Sequence, residues 1–394
     1  MAKVRYVTHL DSVTSIPARE RRRLAAVTER FAFRANTYYL GLIDWDDPDD
    51  PIRRIIVPDP AELEDWGDLD ASDESAYKVA PGLEHKYEYT AVLLAHDFCG
   101  GFCRFCFRKR LFLEGNSEVS RDVEPGLEYL RNHPRITNVL VTGGDPLLLS
   151  NKRLDYILSE LRAIEHIKVI RVGTKMAAFN PHRILDDPEL VATLGRHSLP
   201  ERKLYVMVHF NHPRELTPTA VEALNRLMDA GVVVANQTPL LRGVNDDPEV
   251  LGELFNRLSY IGATPYYVFQ VRPTQGNKHL VVPIEEALSV FEEARSHCSG
   301  LAKRARLVMS HASGKIEIVG ATGELIFFRY HRAADTHQRG RFMVFARNPE
   351  ATWFDDYLRD GEVAAIPASI FGPRAKIGAE VSVLELLAEG GASV

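Results

Sequence analysis

Cysteine is scarce, with four in 394 residues. That is too few for the disulfide framework of a small secreted scaffold. Long apolar runs are missing as well. Nothing approaches the ~18–20 consecutive apolar residues that span a bilayer, so a membrane-spanning protein is excluded. There is no surplus of positive charge: 54 acidic residues exceed 48 basic ones, for a formal net charge of −6. No global basic field therefore points to nucleic acid or to an anionic lipid surface. The first residues, MAKVRYVTHLDS, carry no apolar stretch followed by a small-residue cleavage site, and the expectation is a cytoplasmic protein. Repeats and low-complexity tracts are absent too. What is present is an ordinary globular balance, 45% hydrophobic and 26% charged. The chain is long enough to bury a core without covalent staples.

Residues 15–30 read as a helix with Ser15 as its cap and Pro17 in its first turn. Residues 42–54, rich in Asp and Pro, read as turn and loop. Residues 64–82 are acidic and weakly apolar and read as a linker or a surface lid, not as core. From residue 91 short β-branched runs recur at Ala91–Ala95, Thr137–Thr142, Lys168–Gly173, Leu204–Phe210, Gly231–Gln237 and Pro265–Val271. Amphipathic stretches follow them at 119–132, 151–163, 186–195, 216–230, 248–260 and 284–297. Strand-then-helix alternation implies a parallel sheet with right-handed crossovers. Six units without a clear seventh or eighth predict a partial (β/α)6 barrel, with functional residues at the C-terminal ends of its strands. This divides the chain into an N-terminal helical region and linker (1–90), the barrel (91–300) and a C-terminal region (301–394). In the last, Glu324–Tyr330 and Phe342–Ala346 read as further strands, followed by a tail with Pro367 and Pro373 that covers the barrel or makes a subunit contact.

Three of the four cysteines, Cys99, Cys103 and Cys106, fall on one loop directly after the first predicted strand. Three thiolates at CxxxCxxC spacing can hold three corners of a cubic iron–sulfur cluster and leave the fourth iron open to an external ligand. A zinc site would need a fourth Cys or His, and His96 is the nearest. Inert buried thiols are the remaining reading.

CxxxCxxC after the first strand of a six-unit α/β chain, with Phe105 before the third cysteine, resembles the radical S-adenosylmethionine superfamily. The stretches TYYLGLID (37–44), PGLEHKY (81–87), CRFCFRKR (103–110), TGGDPLLLS (142–150), HFNHPRE (209–215), NQTPLLRGVND (236–246) and PYYVFQ (265–270) narrow the resemblance to the lysine 2,3-aminomutase family. The resemblance implies a fold, two organic cofactors and a cluster. Cys99, Cys103 and Cys106 would ligate a [4Fe–4S] cluster whose open iron chelates S-adenosylmethionine. Gly143, Gly144 and Asp145 would contact the methionine part of that cofactor, and His209 and Gln237 would help to hold it. Lys315 would form the Schiff base with pyridoxal 5′-phosphate. Lys86 and Tyr87 would grip the phosphate, while a third basic residue of the family is replaced by Thr90. Arg108 would take the substrate α-carboxylate through its fork.

Two departures bear on the substrate. Members acting on lysine hold its ε-ammonium with two aspartates. Here one position is Arg272, and the region of the other, Val308–Ala312, contains no acid. A cation beside Arg272 would be repelled, so the expected substrate is not lysine and is a candidate acidic amino acid bound by Arg272. Asp247 stands where some members carry a zinc-ligating cysteine, and no cysteine follows Cys298, so that zinc is not expected. The implied reaction is migration of an amino group from Cα to Cβ of a free amino acid. An electron donor such as flavodoxin or ferredoxin would serve it, with no nucleic acid or membrane partner. Dehydrogenation, deamination or decarboxylation with the same cofactors, modification of a macromolecule, and a non-catalytic iron–sulfur electron carrier stand as alternatives.

Overall fold

The computed structural model describes residues 3–113, 115, 116 and 118–363, and the backbone of Ala365–Pro367 and Glu380–Ser382. Its centre is one twelve-stranded sheet in which every strand lies beside its neighbour in sequence. The strands are β1 (Lys78–Ala80), β2 (Leu83–Tyr87), β3 (Thr90–His96), β4 (Asn138–Gly143), β5 (Val169–Thr174), β6 (Leu204–Val208), β7 (Val233–Pro239), β8 (Thr264–Phe269), β9 (Arg306–His311), β10 (Gly314–Ala321), β11 (Leu325–Ala333) and β12 (Phe342–Ala346). Strands β3 to β9 run parallel. The hairpins β1–β2–β3 at one end and β9–β10–β11–β12 at the other are antiparallel. This is the partial TIM-like barrel expected from the alternation, with one correction. Arg306–His311 adds a seventh parallel strand. Its run RLVMSH includes a charge, Met, Ser and His, and so lacks the β-branched signature of the other six.

The helices cover one face of the parallel strands. After α1 (Ala18–Arg30) and α2 (Pro51–Ile56) come α3 (Glu124–Arg131), α4 (Asn151–Ala163), α5 (Pro188–Arg196), α6 (Pro218–Asp229), α7 (Pro248–Ile261), α8 (Ile284–Ser296) and α9 (Phe354–Asp360). Capping explains where several begin. The Ser150 side chain accepts from Arg153 N, Thr217 from Ala220 N, and Asp247 from Glu249 N and Val250 N. In α4 the buried residues Leu154, Ile157, Leu158 and Leu161 form one stripe. They pack on Val139, Val141, Ile170 and Val172, the outward residues of β4 and β5. By the period of two, Leu140, Thr142, Arg171 and Gly173 turn to the opposite face.

That opposite face is concave. Arg332 Nη1 on β11 donates to Thr90 Oγ1 on β3 at 3.1 Å. Lys86 Nζ on β2 donates to the His311 carbonyl on β9 at 2.6 Å. The two ends of the sheet are not paired to each other, so side chains, not a backbone ladder, bridge the seam.

Three sequence expectations change. Helix α1 starts at Ala18 after Pro17, without a Ser15 side-chain cap. The 42–54 segment ends in helix α2, because Asp50 caps it through Arg53 N and Pro51 fits its first turn. Residues 64–82 are not a detached linker. Ser72 Oγ donates to the Ser310 carbonyl (2.7 Å), Tyr77 Oη donates to the Ala312 carbonyl (2.9 Å), and Glu74 is buried among arginines. The sheet also runs through both boundaries drawn at residues 90 and 300. Glu324–Tyr330 and Phe342–Ala346 are strands, as read. The tail containing Pro373 lies outside the described residues. Cys298 is buried two residues beyond α8, its thiol donating to the Ala294 carbonyl.

Candidate active site

The cysteine loop leaves the C-terminal end of β3 and is held from outside by the N-terminal region. Arg34 Nε donates to the Cys99 carbonyl (2.8 Å), Asn36 Nδ2 to the Gly100 carbonyl (3.0 Å) and Phe102 N to the Arg34 carbonyl (2.8 Å). A Cβ on Gly100 would fall 2.5 Å from Met176 Sδ and one on Gly101 2.9 Å from Ile56 Cδ1, so the loop is packed to the limit of glycine. All three thiols are free. Burial raises the pKa of each, pushing Cys103 up to about 12, and the three act on one another. Mutually close, desolvated thiols need cationic compensation to ionise, which an iron cluster supplies. The donor set fits one. Among the described residues no three His, Cys, Asp or Glu side chains form a site for a single metal ion.

Gly143 and Gly144 at the end of β4 lie against this loop. Gly143 has φ of +114°, and a Cβ there would meet His96 O at 2.4 Å. One on Gly144 would meet Phe98 O at 2.2 Å. The two amides that follow, Gly144 N and Asp145 N, donate to His96 O (2.5 Å) and Phe98 O (2.6 Å). The glycines thus dock one loop on the other. Asp145 is buried, and burial raises its pKa to about 6. Its carboxylate accepts from Thr174 Oγ1 (2.8 and 2.9 Å), Lys175 N (2.8 Å) and Leu147 N (3.1 Å). It ties the end of β4 to the end of β5, with its oxygens spent on these donors.

His209 and Gln237, after β6 and near the end of β7, meet at 2.8 Å through His209 Nε2 and Gln237 Nε2. Burial, then the Lys175 charge, lowers the His209 pKa to about 3, so the ring is neutral and its Nε2 accepts. Lys175 was not picked out from the sequence. Its Nζ donates to the His209 carbonyl (2.8 Å), Asn211 Oδ1 (2.6 Å) and Glu215 Oε1 (2.6 Å), and Tyr39 Oη also donates to Glu215 (2.5 Å). Glu215 lies within the HFNHPRE stretch, but nothing in sequence marked its lysine partner.

Lys315 is the second residue of β10, opposite Ser310 on β9 and Arg332 on β11. It lies in a strand, beside the turn at Gly314. Gly314 has φ of +155° and a Cβ there would strike Arg332 O at 2.3 Å, so the hairpin needs glycine beside this lysine. Lys315 Nζ lies 4.1 Å from the Tyr267 ring centroid and 4.8 Å from that of Phe269. Burial, then the charges of Arg332, Arg171, Arg272 and Lys86, push its pKa far below the usual lysine range. A neutral amine against flat rings, ringed by cations, fits an anionic aromatic aldehyde such as pyridoxal phosphate. Lys86 is lowered to about 8 by burial and Arg272, and its Nζ also faces the Tyr77 ring. Tyr87, raised to about 12 by burial, stands next to it.

Arg108 and Arg272 converge on Glu74, an acid from the segment read as a linker. Arg108 Nε and Nη2 donate to its two oxygens (3.1 and 2.9 Å), Arg110 Nη2 donates at 2.9 Å, and Arg272 Nη1 at 3.4 Å. Burial opposes ionisation of Glu74, but the three guanidinium groups outweigh it and hold its carboxyl well below the usual range. Arg272 also lies 3.6 Å from the Phe107 ring centroid. Glu285 lies elsewhere and accepts from Arg347 Nε. Glu84 sits 3.8 Å from Arg108, and burial followed by Glu74 raises it to about 7. The fork of Arg108 is therefore engaged by Glu74, with Nη1 left over, and Arg272 keeps Nε and Nη2 without partners among the described residues.

The radical SAM superfamily profile matches residues 94–254, from β3 into α7. A protein of Aquifex aeolicus (strain VF5) named "Putative L-lysine 2,3-aminomutase" is 58% identical over 90% of this chain and 95% of its own length. The L-lysine 2,3-aminomutase of Clostridium subterminale is 35% identical over 76% of this chain and 71% of its own. The glutamate 2,3-aminomutase of Clostridioides difficile (strain 630) is 34% identical over 75% of this chain and 69% of its own. A cysteine loop docked on a glycine turn, at the C-terminal end of a partial barrel, agrees with these matches, and the chain belongs to the lysine 2,3-aminomutase family of the radical S-adenosylmethionine superfamily.

Proposed function

We propose that the protein is an aminomutase that moves the α-amino group of a free amino acid to its β-carbon, using a [4Fe–4S] cluster, S-adenosylmethionine and pyridoxal phosphate. Support for the third cofactor comes from Lys315: its amine is desolvated, flanked by Tyr267 and Phe269, and surrounded by cations. When bound, pyridoxal phosphate supplies a carbonyl that condenses with amines, and the cluster with S-adenosylmethionine supplies a hydrogen-abstracting radical. The chain's own residues do the rest. Cys99, Cys103 and Cys106 hold the cluster. His209 and Gln237 line the path of S-adenosylmethionine, with His209 fixed through Lys175. Gly143, Gly144 and Asp145 set the loop geometry against which that cofactor lies. Burial keeps Lys315 a nucleophilic free amine. Lys86 and Tyr87 receive the phosphate. The unpartnered Nη1 of Arg108 takes the α-carboxylate. A one-electron donor of the flavodoxin or ferredoxin kind completes the reading.

The substrate in this reading has no cationic side chain, and an acidic one suits the site best. Arg108, Arg272 and Lys86 face Glu74 and a Glu84 that is only partly ionised near neutrality. A further ammonium would add to an excess of positive charge, whereas a distal carboxylate would meet Nε and Nη2 of Arg272.

Borohydride treatment of the cofactor-loaded protein is expected to fix the label on the peptide containing Lys315 and to lose it in Lys315→Ala. A label on another lysine would overturn the assignment. Anaerobic turnover of glutamate, aspartate, neutral amino acids and lysine should give β-amino products from an acidic or neutral substrate. Robust turnover of lysine would refute the substrate reading, and keto or decarboxylated products would refute the migration.

A further inference from the structure

Two arginines inside the barrel lack a carboxylate partner among the described residues. Arg171, on β5, donates from Nε to Asn138 Oδ1 at 2.8 Å. Arg332, on β11, donates from Nη1 to Thr90 Oγ1 at 3.1 Å. Both act on Lys315, and they act on each other. Arg332 and Lys315 are direct cross-strand partners. Like charges opposite one another across an antiparallel pair repel unless an anion lies between them or burial neutralises one. Lys315 takes the second course. Arg332 reaches over the seam, its guanidinium carbon 5.7 Å from the Tyr87 ring centroid. The same residue therefore stands opposite Lys315 in the strand pair, lies by the ring of Tyr87 beside Lys86, and bonds to Thr90.

We propose that Arg332 is a phosphate-binding residue of this site. It supplies from β11 the positive charge that family members carry at the position of Thr90, and Thr90 aims it through the 3.1 Å hydrogen bond. The charge has moved across the open seam while the place it serves has not. The ligand group is a phosphate monoester dianion, which suits a guanidinium better than a hydroxyl can. This rests on Lys315 being the pyridoxal phosphate lysine, and the test separates the two ideas.

The full-length protein is titrated spectrophotometrically with pyridoxal phosphate and with pyridoxal, which shares the ring and aldehyde but lacks the phosphate. Wild type is expected to favour the phosphorylated form. Arg332→Gln should weaken pyridoxal phosphate about tenfold or more and leave pyridoxal nearly unchanged. Arg332→Lys should recover part of the difference. The double variant Thr90→Arg, Arg332→Gln, with the charge placed back on β3, should restore preference for the phosphate. Thr90→Val, which removes only the hydroxyl, guards against a folding artefact and should lose about threefold. If Arg332→Gln discriminates between the two ligands as wild type does, the assignment of Arg332 is wrong, although Lys315 can still carry the borohydride label. If wild type takes no label on Lys315, the cofactor reading fails and this one with it.

Discussion

Glu74 shows how much a single residue can carry without any sequence signal. It sits in an acidic stretch whose composition is that of solvent-exposed linker, and no spacing connects it to Arg108, Arg110 or Arg272. Only the fold brings the four together. Removing one member of a buried charge cluster leaves the others uncompensated. Glu74→Gln is expected to destabilise the protein by about 3–5 kcal/mol in urea unfolding. Adding Arg272→Met should recover part of that loss, because the orphaned charge leaves with it. Equal stability of wild type and Glu74→Gln would show that the cluster is solvated in practice. Arg332 was equally hidden, since its place depends on the register of β10 against β11. The reading of Lys315 rests on resemblance, because a lysine beside Gly314 is in itself an ordinary turn residue.

The secondary-structure elements were more readable than the residues. Six parallel strands announced themselves through β-branched runs, and the crossover helices through apolar stripes and caps. The seventh strand escaped because its polar members find partners only in the fold, Arg306 on Glu317 of β10 and His311 on Ser313 and Asp355, an environment that composition does not encode. The glycine turn after β4 was recognised, but its work is loop-on-loop docking, visible only once Phe98 is placed. Gly144→Ala would drive a methyl into the Phe98 carbonyl at 2.2 Å. It should lower both the thermal midpoint and the iron retained after anaerobic reconstitution. Gly340, with φ of +70° and nothing within 4 Å of its missing Cβ, is the control. Gly340→Ala should cost only the left-handed backbone penalty of about 1–2 kcal/mol and leave iron content unchanged. Full iron in Gly144→Ala would mean that the two loops do not depend on each other.

At the scale of the whole molecule, burial biases the titration of the fold. Seven histidines, His85, His96, His209, His212, His279, His311 and His331, have pKa values lowered, mainly by desolvation. Below about pH 6.5 the unfolded chain binds protons that these folded sites refuse. Stability is therefore complete above that pH and falls as the pH drops toward the folded values, about 4 for His331 and about 3 for His209. Glu84, raised to about 7, and Asp145, raised to about 6, work in the opposite sense: what they contribute is present at low pH and is lost as the pH rises through those values. With seven groups against two, the urea midpoint should be lower at pH 5.5 than at 7.5. His331→Gln, which keeps an acceptor for Tyr267 Oη, should flatten that dependence. A midpoint that rises on acidification would show that the carboxylates dominate.

The open seam of the barrel has its own energetic character. A closed barrel can be opened along its wall only by breaking a strand's worth of backbone bonds. Here the closure is made by side chains, among them Lys86 on the His311 carbonyl, Tyr77 on the Ala312 carbonyl and Arg332 on Thr90, contacts worth on the order of 1 kcal/mol each. Rotamer changes at Lys86 and Arg332 loosen it, and every rung of the ladder stays intact. The wall of the chamber is permanent, while its latch is made of the groups assigned here to grip the guest's phosphate. Loading would then replace the latch with the guest, so that the filled chamber is held shut by what it contains.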